Sequence, residues 1–106
     1  MNIEEISKRI YKFQEKRIAD LGAELTPELV FIHLSEEIGE IARQLVNRNL
    51  SIRKYDEEDL IEEITQGLLD LLVLSRIFNI DLPTAITAKM DKMASSSKWT
   101  RKKAYG

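Results

Sequence analysis

The residue that most constrains the fold of this chain is Asp70, in the run Gly67-Leu68-Leu69-Asp70-Leu71-Leu72-Val73-Leu74. A lone ionised carboxylate in apolar surroundings is costly unless a cation or hydrogen-bond donors meet it. The run must therefore be covered by other structure that also brings something polar to Asp70. At about 100° per residue, Leu60, Ile64, Gly67, Leu68, Leu71, Leu74, Ser75 and Phe78 form one apolar stripe of a helix. Asp59, Glu63, Gln66 and Asp70 share a second face, which turns aliphatic at Val73 and Ile77. A helix of this kind is covered on both sides, by its own bundle or by a second subunit.

Helix signals recur along the whole chain. Asn2 with Glu5 opens like a capping box, and the stripe Ile3, Ile6, Ile10, Phe13 and Ile18 follows it up to Gly22. Thr26-Pro27 starts a second helix, which the asparagines at 47 and 49 are expected to end near Val46. A polar loop over 47–55 leads to Asp56, which caps a third helix whose first turn, Glu57-Glu58-Asp59, suits the helix dipole. The third helix runs to about Phe78, and a fourth starts at Asp81 with Pro83 in its first turn, fraying at Ser95-Ser96-Ser97. No segment alternates with period two, so the expectation is an all-α, four-helix bundle over residues 1–97 with a basic tail over 98–106. No apolar run is long enough to span a bilayer and no signal-peptide layout opens the chain, so the cytoplasm is the default expectation.

Charge divides the chain unevenly. Residues 89–106 hold six basic residues against Asp91, a net +5, so the rest carries −7 of the overall −2. The basic end reads either as a solvated tail or as an arm that meets phosphate over an acidic centre. Trp99 between Lys98 and Arg101 could stack on a base, but the acidic remainder argues against a nucleic-acid surface.

The acidic centre would combine two helices. On the second helix the apolar stripe is Val30, Leu34, Ile38, Ile41 and Leu45; Glu37 borders it, Glu40 lies one step further round beside His33 and Gln44, and Glu36 points to solvent. Gly39 between them would allow a close approach. Glu37 and Glu40 alone would be ordinary surface residues. Together with Glu63 and Asp70 on a covered face, they favour a divalent-metal site. For Asp70 the competing reading is a specific buried partner such as Arg43, Arg76 or a helix terminus.

Ligand chemistry narrows the choice. Oxygen donors suit Mg²⁺, with Mn²⁺ an alternative, rather than zinc or copper. The chain has no cysteine, and its one histidine, His33, precedes its glutamates and so fits no Glu-x-x-His di-iron pair. Neither a P-loop nor a Gly-x-Ser-x-Gly element is present. Carboxylate-held Mg²⁺ receives phosphates, and this argues for hydrolysis of a phosphoanhydride.

The segment Leu34-Ser35-Glu36-Glu37-Ile38-Gly39-Glu40-Ile41-Ala42 resembles the Glu-x-x-Glu motif of the MazG-like all-α nucleotide pyrophosphohydrolases. The order continues with Glu62-Glu63-Ile64-Thr65-Gln66, the turn Asn79-Ile80-Asp81-Leu82-Pro83, and the basic Lys89-Met90-Asp91-Lys92-Met93, over residues 3–101. The resemblance implies Mg²⁺-dependent cleavage of a nucleoside triphosphate to the monophosphate and pyrophosphate by a homodimer or homotetramer, in house-cleaning or nucleotide-pool control. It also implies Glu37, Glu40 and Glu63 as metal ligands, with Glu36 and Glu37 as catalytic acids. Lys89 and Lys92 would be phosphate contacts. Two positions depart from the pattern. Gln66 stands where the family has an aspartate, so it would offer a carbonyl oxygen to metal or substrate without charge. Asp70, one turn on, would be either the compensating metal ligand or a separate buried polar residue. The family's asparagine in the basic motif is also missing. A catalytically impaired nucleotide-binding or dimerisation module is therefore the alternative expectation.

Overall fold

The computed structural model describes residues 1–51 and 53–96, so the basic tail expected over 98–106 lies outside the described residues. Four helices follow one another: α1 (Ile3–Asp20), α2 (Pro27–Leu50), α3 (Glu57–Ile77) and α4 (Leu82–Ser95). Each starts at the residue read as its cap. Asn2 Oδ1 accepts from the Glu5 N–H at 2.9 Å, and Thr26 Oγ1 accepts from the Leu29 N–H at 3.2 Å. Asp56 Oδ1 accepts from the Glu58 N–H at 3.0 Å, and Asp81 Oδ1 from the Thr84 N–H at 3.2 Å. Such caps stabilise a helix start by about 1 kcal/mol each relative to alanine.

The end of α2 departs from expectation. It runs on through Asn47 and Asn49 to Leu50 and stops at Ser51, which takes a left-handed φ of 54° and returns its N–H to the Asn47 carbonyl. Asparagine inside a helix costs only a few tenths of a kcal/mol, roughly, too little to end one. Asn79, by contrast, does stop α3, with φ at 53°.

Pairs of contacting residues fix how α2 and α3 lie together. Gln44 meets Asp56, Leu34 lies opposite Gly67, and His33 meets Asp70. As numbers fall on α2 they rise on α3, so the helices are antiparallel neighbours. A β-carbon at Gly67 would stand 3.7 Å from Leu34 Cδ1, an ordinary contact. α1 packs on the other flank of α3, with the Ser7 hydroxyl near the Leu72 carbonyl at 3.5 Å. Val30, Leu34, Leu72 and Val73 are the buried apolar core. α4 leans on α1 and has no buried residue. Among the described residues no single helix is long and apolar enough to cross a membrane.

Within the chain, only one of the two faces of α3 expected to be covered is packed. The packed side is the one bearing Glu63, Gln66, Asp70 and Val73. Of the apolar stripe, Gly67 is buried and Leu60, Leu74 and Ser75 are half-buried, but Ile64 is 51%, Leu68 57%, Leu71 47% and Phe78 60% exposed. Ile38 and Leu45 of the α2 stripe are exposed as well. With only α1 and α2 against it, α3 can cover one of its apolar faces and not the other. Gly39 is also exposed, and a β-carbon there would meet nothing within 4 Å among the described residues, so the expected close approach is not made.

Candidate active site

The antiparallel register brings the acids of α2 opposite those of α3. Glu37 and Glu40, one turn apart on α2, are half-buried beside Glu63 of α3. Burial pushes the Glu63 carboxyl above its ordinary range, and the negative charges of Glu40, Asp59 and Glu37 push it further. The Gln44 side chain hydrogen-bonds Glu63 and opposes this rise. Gln44 is itself buried and turns its Oε1 to the Asp56 N–H at 3.1 Å, which ties the acids to the start of α3. Glu63 Oε2 is a buried oxygen with no hydrogen-bond partner among the described residues. Outside this group, Glu40 forms a solvent-facing ion pair with Arg43 at 3.4 Å.

Asp70 lies about two turns further along the same face and is 3% exposed. The structure supplies partners that the sequence reading did not name. Its Oδ2 is 2.7 Å from His33 Nδ1, and its Oδ1 accepts from Gln66 Nε2 at 3.0 Å. Neither suggested arginine serves: Arg43 pairs with Glu40, and Arg76 acts on the Tyr11 hydroxyl. His33 Nε2 then faces Glu37 Oε1 at 3.7 Å. A chain of polar groups thus runs from Gln66 through Asp70 and His33 to Glu37. His33, which fits no di-iron pair, is thus the histidine that meets Asp70. Its position four residues before Glu37, on the same helix face, was the available signal.

A cavity of about 240 Å³ opens beside this chain, between the end of α1 and the start of α2. Arg17, Leu21, Leu29, His33, Glu36 and Asp70 contribute to its walls. Glu36, expected to face solvent, is exposed and stands at this cavity. Lys89 and Lys92 are exposed on α4, and no ion pair joins them to the acids among the described residues.

The donor set fits a hard divalent cation. Hard cations take carboxylate oxygens, and the unpartnered Glu63 oxygen among three like charges is a position that positive charge would relieve. Among the described residues no three acidic or histidine side chains stand in ligating geometry, so the carboxylates would have to draw together around the ion.

Fold and site together define an all-α protein in which carboxylates of two antiparallel helices gather on a covered face. The family model described as the MazG nucleotide pyrophosphohydrolase domain matches residues 25–100, and the chain belongs to that family. The match takes in α2, α3 and α4 and leaves α1 outside, a narrower span than the resemblance over residues 3–101. No curated protein and no solved structure matches the chain significantly.

Proposed function

We propose that this protein is a Mg²⁺-dependent nucleoside triphosphate pyrophosphohydrolase that releases the monophosphate and pyrophosphate. The observation that carries the reading is Glu63, a half-buried carboxylate with one unpartnered oxygen, charge-crowded by Glu37, Glu40 and Asp59. Membership of a nucleotide pyrophosphohydrolase family supports the substrate class.

Glu37, Glu40 and Glu63 would hold the cation. When bound, it would polarise a phosphoryl oxygen and favour deprotonation of an attacking water. Glu37 and the exposed Glu36 accept hydrogen bonds from water on the acidic face and orient it toward phosphorus. The nucleoside end of the substrate takes the neighbouring cavity, whose walls are mostly apolar. Lys89 and Lys92 neutralise the phosphate tail; α4 buries none of its residues, so recruiting it disrupts little packing. Asp70 has both oxygens engaged by protein donors, which makes it a support for this site more than a ligand in it.

The test is Mg²⁺-dependent pyrophosphate release from a panel of ordinary and modified nucleoside triphosphates, with Mn²⁺ as a second metal. Turnover of at least one substrate is expected; folded protein with no turnover on any of them refutes the enzyme. The second reading is a binding module without catalysis, favoured by the neutral Gln66 facing Asp70. Calorimetry that detects nucleotide and Mg²⁺ binding without hydrolysis would support it.

A homodimer or larger homo-oligomer belongs to the same proposal. Ile61, Ile64, Leu68, Leu71 and Phe78 repeat every three, four or seven residues along one exposed side of α3. A second copy is the economical cover for such a stripe. Sedimentation at micromolar protein should give at least a dimer, and Leu68→Lys should shift it to monomer. A wild-type monomer at that concentration refutes the assembly.

A further inference from the structure

We propose that Asp70 is a positioning residue that holds the His33 ring and the Gln66 amide so that the ring turns an acceptor nitrogen toward Glu37 of the acidic face and the amide keeps its oxygen as an acceptor. The functional part of this inference rests on the reading of that face as a phosphate-hydrolysing site; the structural part does not.

The argument starts from what a carboxylate can do. An ionised carboxylate only accepts hydrogen bonds, so both groups facing Asp70 must donate. Gln66 does so through Nε2 at 3.0 Å. His33 does so through Nδ1 at 2.7 Å, so in the neutral ring Nδ1 carries the hydrogen and Nε2 is left bare. That bare nitrogen lies 3.7 Å from Glu37 Oε1. Two acceptors facing each other bind nothing between themselves, but both accept from a donor placed before them, such as a water on the acidic face. Gln66 Oε1 is likewise left as an acceptor, since the other arm of its amide is committed to Asp70.

The same geometry accounts for the pair of departures at 66 and 70. An aspartate at 66 would set a second carboxylate one turn from Asp70 and could donate nothing to it. The amide of Gln66 can donate, and with His33 it supplies the two donors that a carboxylate only 3% exposed requires. Residues 66 and 70 therefore work as a matched set.

Asparagine at 70 breaks the match without changing its shape. Its side chain offers one acceptor and one donor, so one of the two present partners would face it donor to donor. Either the His33 ring moves its hydrogen to Nε2, or the Gln66 amide turns over. In the first case a donor replaces the acceptor beside Glu37; in the second the Gln66 amide presents a donor where its oxygen had been.

His33 is the chain's only histidine, so its ring nitrogens give one set of signals in a ¹⁵N-edited spectrum. Metal-free protein would be examined at alkaline pH, with the neutral ring recognised from its own nitrogen signals. The expected result is hydrogen on Nδ1 and a bare Nε2. Hydrogen on Nε2, or on both nitrogens, overturns the proposal. In Asp70→Asn the ring should change form or the Gln66 side-chain amide signals should shift; if both stay in place, the proposal fails. For turnover, Asp70→Asn should lower kcat by about 10- to 100-fold, as loss of an outer-shell partner does, with little change in KM. A variant that is folded and as active as wild type also overturns it. Wild-type protein with no turnover refutes the proposed enzyme and leaves the ring assignment standing, so the two failures are distinguishable.

Discussion

Glu63 and Asp70 share one face of α3, and the protein treats them in opposite ways. Asp70 is the more deeply buried, yet each of its oxygens has a donor, from His33 and Gln66. Glu63 is more open, yet it has one buried oxygen without a partner and three acids nearby. Burial by itself therefore does not mark the reactive carboxylate. A buried acid whose hydrogen bonds are complete belongs to the framework, whereas an acid crowded by like charge is a place for a cation. The framework acid also reaches the crowded group, through His33 to Glu37.

This contrast can be broken most severely at Glu63. Glu63→Gln removes the charge of a proposed cation ligand, and under the proposed function metal-dependent turnover should fall by at least about 100-fold, beyond the range of an outer-shell partner. Steady-state pyrophosphate release measures it. Loss of activity should come without loss of fold, because the variant relieves repulsion.

The next effect falls on the compensated acid. His33→Ala leaves Asp70 with a single donor and should cost about 1–3 kcal/mol in urea unfolding, a figure lowered for the exposed part of His33. If stability is unchanged, Asp70 does not depend on the imidazole and the contrast collapses.

A smaller effect sharpens the comparison through pH. The native pKa of Glu63 is raised above 4.5, first by burial and then by Glu40, Asp59 and Glu37, so native protein binds more protons than unfolded protein in that window. The corresponding stability is present below the unfolded value and is lost as pH rises through the raised one. In metal-free protein, Glu63→Gln should therefore melt a few degrees higher than wild type at neutral pH. The gap should close as the pH falls below 4.5. The smallest effect belongs to Arg43→Ala, which removes an exposed ion pair with Glu40 and should change stability by about 0.5 kcal/mol or less.

Much of the architecture was legible because its signals are local. Asn2, Thr26, Asp56 and Asp81 each cap the helix they announced, since a cap needs only its own side chain and an amide two or three residues on. The second helix ran past its asparagines because the sequence signal was energetically weak. At the site, Glu37, Glu40 and Glu63 were expected to share a metal; their charges act on one another, but among the described residues they do not stand in ligating geometry. The Asp70 partners were not legible: His33 is on another helix, and choosing it over Arg43 or Arg76 depends on the register of α2 against α3.

The sequence by itself determined four helices, their starts, and the presence of a carboxylate that had to be met by polar groups. Helix period and capping act within a few residues, and the cost of a bare charge holds in any fold. Only the tertiary structure decided which apolar face of α3 would be packed, because both faces satisfy the helical period and α1 and α2 together cover one. The same packing gave Asp70 its two donors and left Glu63 with a bare oxygen. Hydrogen bonds are decided at the scale of a single ångström, which no periodicity in the chain specifies.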